Sequence, residues 1–194
     1  MGTTWFSVHL KGVDSVRVRA AIDAATKECG GAAYVAPPRN GWVVVYPSME
    51  LLSTDAIAML ADDCGASDAV ALSLYDSDVL CCWLIRGGEL VDSFNSCPDY
   101  FGEANEQDMA AKGDASAYEG LLDAAGVRKL AKLFKVRMIN GEAVGGELPD
   151  FEDERFEQIA SVLGLAGANG FYDSIADGDD AVDLEALYHV DHRA

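Results

Sequence analysis

The chain has 194 residues, half of them hydrophobic, and it carries 33 acidic against 14 basic side chains, a formal net charge of −19. This length and apolar content suit one large domain with a real core and argue against a disordered chain. The acidity argues against nucleic acid and anionic membrane surfaces as partners, because both bind basic proteins. It allows a basic partner, cations or simple solubility.

The N-terminal segment and the cysteines indicate the cellular compartment. Met1–Lys11 begins with a strand-like pattern instead of a signal sequence, and no stretch has the ~20 apolar residues of a membrane span, so a cytoplasmic location is expected. An odd number of cysteines without a C-x-x-C pair argues against a disulfide framework and a structural zinc site. The five are Cys29, Cys64, Cys81, Cys82 and Cys97.

Strand and helix patterns alternate in the first third of the chain. Two-residue periodicity marks the strands, and apolar residues at helical spacing mark the helices. In chain order the predicted elements are a strand Thr4–Lys11, a helix capped by Asp14 or Ser15, strands Ala32–Ala36 and Trp42–Tyr46, and a helix capped by Ser53 or Thr54.

The segment Ala69–Asn95 predicts three strands joined by two tight turns. Its middle strand, Val79–Ile85, contains no polar residue. Gly87-Gly88 tolerates the positive φ angles of a hairpin turn. Because the middle strand is apolar on both faces, the sheet must be covered on both sides.

Helical patterns dominate the second half. Helices are expected within Ser116–Ala125 and Val127–Phe134 and from Pro149-Asp150 to Leu163, with a last short element within Ala181–Val190. The fold class predicted is α+β. An antiparallel sheet of ferredoxin-like βαββαβ order is extended by extra strands, and its second face is covered by the helical C-terminal half. No linker separates residues 1–98 from 99–194, so a single compact domain is expected.

An acidic tract near the C-terminus invites comparison with a calcium-binding loop. Ile175 stands at the third position of the EF-hand pattern, which needs an oxygen ligand, and Leu184 stands where the pattern needs a bidentate glutamate. A solvated acidic loop is therefore favoured, with a weak cation site as the alternative. A basic protein is the alternative partner for these carboxylates. The candidate partner-binding residues are Asp173, Asp177, Asp179, Asp180 and Asp183.

Two further candidate sites are weaker. His189 and His192 have the spacing of one helix face, but no upstream pair completes a metal site, so no metal and no cofactor are predicted. The loop after the meander supplies a candidate ligand or catalytic site on a rigid sheet. Its residues are Asn95, Cys97, Asp99 and Tyr100, although no base for a Cys97 thiolate can be identified.

Five cations lie between Ala125 and Met138 without an acid, and they are expected to face the acidic helix that starts near Asp150. The alternative is that these cations bind an acidic ligand.

The leading hypothesis is a non-catalytic cytoplasmic interaction module, in one form an inhibitor or immunity-type protein that neutralises a basic protein such as a nuclease. The alternatives are a small-ligand binder or enzyme at Asn95–Tyr100 and a weak divalent-cation binder. Oligomeric state is not determined by the sequence.

Overall fold

The structure is a computed structural model that describes residues 2–102, 110–139, 142–143, 151–178 and 186–193. The strands are β1 Trp5–Lys11, β2 Ala32–Val35, β3 Trp42–Pro47, β4 Asp68–Tyr75, β5 Val79–Arg86, β6 Glu89–Asn95, β7 Met138–Ile139, β8 Glu142–Ala143 and β9 Tyr188–Asp191. The α-helices are α1 Ser15–Cys29, α2 Thr54–Cys64, α3 Ala124–Leu133, α4 Glu152–Leu163 and α5 Tyr172–Asp177, and short 3-10 turns span Met49–Leu51 and Ala115–Tyr118.

Seven strands form one sheet in the order β6-β5-β4-β1-β3-β2-β9, and β7 pairs with β8 separately. Every neighbouring pair in the large sheet is antiparallel. The first elements follow the chain order β1-α1-β2-β3-α2-β4, so each helix joins two strands that have another strand between them. The predicted α+β class and antiparallel sheet are confirmed.

Local chemistry explains where the first helices begin and end. Asp14 Oδ1 accepts the backbone N–H groups of Val16 and Arg17, both at 2.9 Å, and therefore caps α1. Ser53 caps α2 by accepting the Ala56 N–H at 3.1 Å. Gly30 ends α1 at φ 71°, in the left-handed region that glycine reaches without strain.

The sheet is covered on both faces, as the apolar middle strand required. On one face α1 and α2 pack against the sheet, with Ile22 and Ile57 among the buried contacts. On the other face α3 and α4 cover Leu80 and Leu84 of β5. The helical half is therefore the layer that removes the second face from water.

One local prediction in the second half was wrong. The helix expected within Ser116–Ala125 is a 3-10 turn that ends at Tyr118, because Gly120 has φ 93° and Asp123 caps α3 further along the chain. The final short element is the edge strand β9, so His189 lies on a strand, where the helix-face spacing to His192 does not apply. It pairs with β2, with His189 opposite Tyr34. No helix in the described ranges has the length and apolar character that crossing a membrane requires.

His9 is a buried polar residue in the middle of β1, with no exposed surface. The Ser7 hydroxyl donates to the Ala168 carbonyl at 2.9 Å, so His9 Nε2, 3.0 Å from Ser7 Oγ, carries the proton and donates to it. No described residue bonds the other ring nitrogen. Burial lowers the pKa of His9 to about 3, because the charged ring would lose its hydration.

Protonation of His9 should make stability depend on pH. Between the ordinary pKa of 6.5 and the folded value of about 3, the unfolded chain binds a proton that the folded chain does not. The free energy of unfolding should therefore fall as the pH falls through that window, by about 1.4 kcal/mol per pH unit from this group. In urea titrations His9→Gln should lose this contribution, whereas the edge-strand control His189→Gln should keep it. Equal slopes for wild type and His9→Gln would contradict the assignment.

Candidate functional site: the loop after the sixth strand

The loop that follows β6 is held in place at its base. Asn95 Oδ1 accepts the Cys97 N–H at 2.9 Å, which forms a local turn. The N–H of Ser96 donates to the Leu80 carbonyl, and its hydroxyl oxygen accepts the Leu80 N–H, both at 2.9 Å. The Ser96 carbonyl accepts the Arg137 N–H at 2.7 Å. A rigid strand end and the segment after α3 therefore fix where this loop starts.

Three aromatic rings meet at the surface beyond this base, and we name Tyr75, Tyr100 and Phe101 the aromatic patch. Their ring centroids lie 5.0–6.1 Å apart, and each pair packs edge to face. Phe101 is 73% exposed, Tyr75 46% and Tyr100 39%. The rings thus stabilise one another while they leave apolar faces in water, an arrangement typical of an interaction surface.

Carboxylates flank the aromatic patch. Asp76 and Asp78 lie exposed in the β4–β5 turn, and Asp99 lies half-buried in the loop. The Tyr100 hydroxyl donates to Asp78 Oδ2 at 3.1 Å, and this bond to a carboxylate raises the pKa of Tyr100. Asp76 Oδ1 accepts the Gly2 N–H at 2.8 Å. Aromatic faces beside negative charge suit a cationic group, since a cation is attracted by both.

The four residues predicted for a ligand site lie in this loop, but their chemical environments differ. Asp99 and Tyr100 lie at the aromatic patch, whereas Asn95 is engaged in its turn. Cys97 is 8% exposed, and its sulfur lies 3.7 Å from Asp99 Oδ1. Burial, together with the Asp99 charge, raises the pKa of the Cys97 thiol to about 11. The thiol is therefore protonated at neutral pH, which disfavours a nucleophilic role.

An ion triad lies against the base of the loop. It is formed by the buried Glu152 and Arg155 and the half-buried Arg137. Glu152 Oε1 accepts the Arg137 Nε–H at 2.6 Å, and Glu152 Oε2 lies 3.1 Å from Arg155 Nε. Arg155 is fully buried, and its guanidinium stands 5.0 Å from the centroid of the Phe94 ring. Burial lowers the pKa of Arg155 to about 10 despite the nearby carboxylate, so it stays charged. One carboxylate thus lies between two guanidinium groups and balances only one of their two positive charges.

The predicted pairing of the basic segment with the acidic helix was right at one position. Arg137 binds Glu152 at the start of α4. The other four cations are exposed, and in the described part of the chain no ion pair joins them to an acid. These four are Arg128, Lys129, Lys132 and Lys135. The two helices instead meet through apolar side chains, among them Leu130 and Ile159.

The acidic tract is only partly described. Asp173 and Asp177 are exposed on α5, and Asp179, Asp180 and Asp183 lie outside the described residues. His189 stacks on Tyr34 at 4.3 Å between ring centroids, and its Nε2 lies 3.0 Å from the Tyr172 hydroxyl. His192 Nε2 lies 3.0 Å from Asp23. Within the described ranges no cluster of three or more metal-ligating side chains is found.

The sequence pattern places Tyr100 in a candidate loop but does not identify Tyr75, Asp76 and Asp78 as its neighbours. Tyr75 ends β4, and the two aspartates belong to the turn that follows. The signal available was an aromatic residue directly before an Asp-Ser-Asp turn. Only the register of β4, β5 and β6 brings that turn to the same end of the sheet as the loop at residues 96–102.

Comparisons of this chain with protein-family models, with curated proteins and with solved structures each find no match. The aromatic patch, its carboxylates and the ion triad are therefore interpreted from their geometry and chemistry.

Removal of the shared carboxylate should destabilise the protein strongly. Glu152→Gln leaves two guanidinium groups beside a neutral amide, one of them fully buried, so we expect a loss of about 3–5 kcal/mol in the free energy of unfolding. Arg155→Met removes the buried charge itself and should be neutral or stabilising. Denaturant titration measures both. A Glu152→Gln variant as stable as wild type would show that the triad carries little energy.

Alkylation by iodoacetamide should leave Cys97 largely unmodified near neutral pH. Its raised pKa and burial predict a rate on the order of 100-fold below that of the exposed Cys29. Asp99→Asn should accelerate the reaction, because the Asp99 charge raises the pKa of the thiol. Peptide mass spectrometry against time separates the two cysteines. Equal rates at Cys97 and Cys29 would show that Cys97 is a reactive thiol after all.

Proposed function

We propose that this chain is a non-catalytic, cytoplasmic binding module that captures a basic protein through the aromatic patch and the carboxylates beside it. An inhibitor or immunity-type protein that neutralises a basic partner is one concrete form. The observation that carries the proposal is the grouping of three exposed rings with Asp76, Asp78 and Asp99 at one end of the sheet.

The rings supply affinity for a cationic side chain that also has apolar atoms. An arginine or lysine stem packs on an aromatic face while its charge is attracted by the ring, a contribution of about 0.5–1 kcal/mol at an exposed site. Phe101 offers the largest exposed face, and its position beside Tyr75 and Tyr100 gives a continuous apolar surface.

The carboxylates supply selection for positive charge. A guanidinium can donate two parallel hydrogen bonds to one carboxylate, which adds geometric specificity to the charge attraction. The exposed Asp78 is well placed because the Tyr100 hydroxyl already donates to one of its oxygens and fixes its orientation. The same hydrogen bond joins the rings and the charges into one surface.

The formal net charge of −19 would act at longer range. It attracts a basic protein before contact and repels anionic partners, so association should be fast and should weaken as salt screens the field. The acidic tract that includes Asp173 and Asp177 would add to this attraction without forming the contact surface. Neither nucleic acid nor a membrane is proposed as a partner.

The test uses the immobilised full chain to capture proteins from lysate of the source cell at low and high salt, followed by identification and purification of the bound protein. Tyr100→Ser/Phe101→Ser should weaken its binding by about 30-fold or more, the effect of removing a hot spot. The matched control is Leu90→Ser/Val91→Ser, which removes two apolar side chains of 42% and 44% exposure from β6.

Charge variants then separate the two acidic surfaces. Asp78→Asn/Asp99→Asn should weaken binding and reduce its salt dependence, whereas Asp173→Asn/Asp177→Asn should change mainly the association rate. The proposal is wrong if the aromatic variant binds as wild type does. If in addition Asp173→Asn/Asp177→Asn loses the partner, the acidic tract is the contact surface instead.

A further inference from the structure

A cavity of about 270 Å³ lies between β3 and the loop that joins α4 to α5, far in sequence from the aromatic patch. Its wall is polar and apolar in about equal parts, with Pro37, Val44 and Leu187 among the apolar residues. Arg39, Tyr46 and Asn169 are polar side chains of the described lining. The volume lies just below the range of about 300–1,000 Å³ typical of sites for drug-sized ligands. An occupant would therefore be a small molecule.

Hydrogen bonds and close packing fix the loop that forms one wall. The Tyr46 hydroxyl donates to the Gly167 carbonyl at 2.7 Å, and Asn40 Nδ2 donates to the Gly164 carbonyl at 3.3 Å. A Cβ at Gly167 would stand 2.8 Å from the Tyr46 hydroxyl oxygen, so the loop approaches the tyrosine as only glycine allows. The cavity is thus formed before any ligand arrives, which lowers the cost of binding.

Charge decides what kind of small molecule fits. Arg39 is exposed, its backbone pairs with Trp42 across the turn, and no described residue forms an ion pair with its guanidinium. In a chain of formal net charge −19, an anion binds only where a local cation outweighs the general repulsion. A neighbouring cavity of about 240 Å³ has Glu157 in its lining and no cation among its described lining residues, so it offers no charge that would attract an anion.

We propose that the cavity beside Arg39 binds a small organic carboxylate. The apolar body of the ligand packs against Val44 and Leu187, and its carboxylate accepts hydrogen bonds from the Arg39 guanidinium and the Asn169 amide. Ligand sites usually combine apolar walls with a few placed polar groups, and the lining of this cavity supplies both. This site is independent of the proposed capture of a basic protein.

The experiment compares benzoate with benzyl alcohol, which keeps the ring and removes the charge. In titrations of the ¹⁵N-labelled full chain followed by NMR, benzoate should give saturable shifts of the Gly167, Asn169 and Leu187 amides at roughly millimolar concentration. Benzyl alcohol should bind at least about tenfold more weakly, because it cannot pair with the guanidinium. No shift with benzoate, or equal affinity for the two probes, overturns the proposal.

Two variants locate the site and its charge. Arg39→Gln should weaken benzoate binding by about tenfold or more, whereas Lys132→Gln, which removes an exposed cation on α3, should leave it unchanged. Ala166→Leu places a larger side chain into the cavity and should abolish binding. The spectra themselves report whether each variant folds. Wild-type affinity in Arg39→Gln or in Ala166→Leu overturns the proposal.

Discussion

The need to bury both faces of the central strands organises this molecule. In β5, Leu80, Cys82 and Leu84 lie in the core under α3 and α4, while Ile85 lies in the core under α1 and α2. Each fully buried aliphatic side chain contributes about 1.5–3 kcal/mol relative to exposure, so neither face can be left in water. The helical half therefore has to cover the second face.

Covering the second face brings charged residues into the interior. The first turn of α4 places Glu152 and Arg155 in the core beside Phe94, and Arg137 reaches the same carboxylate from the segment after α3. Such a triad is weak support for stability as a whole, but loss of its shared carboxylate is costly because it leaves a buried cation without a counter-charge. The Ser96 carbonyl accepts the Arg137 N–H at the same place, so the helical layer and the loop after β6 belong to one network of polar contacts.

Two different parts of the fold therefore suit ligands of opposite charge. The β4–β5 turn and the loop after β6 present aromatic rings with carboxylates, which suit a cation. The β2–β3 turn presents Arg39 beside a cavity of mixed polar and apolar lining, where we propose that an anion binds. The thiol of Cys97 lies between loop and core, where burial keeps it protonated, and the loop is accordingly better suited to contact than to catalysis.

The sequence by itself determined the element types and their order through β6, since alternation, caps and glycine turns are set by neighbouring residues. It also required a cover on both faces of the sheet, because Val79–Ile85 contains no polar side chain. Only the tertiary structure decided that β9 is a sheet edge, that Tyr75 meets Tyr100 and Phe101, and that Arg137 and Arg155 share Glu152. Those contacts join residues distant in the chain, and strand register and helix packing, which local pattern does not encode, bring them together.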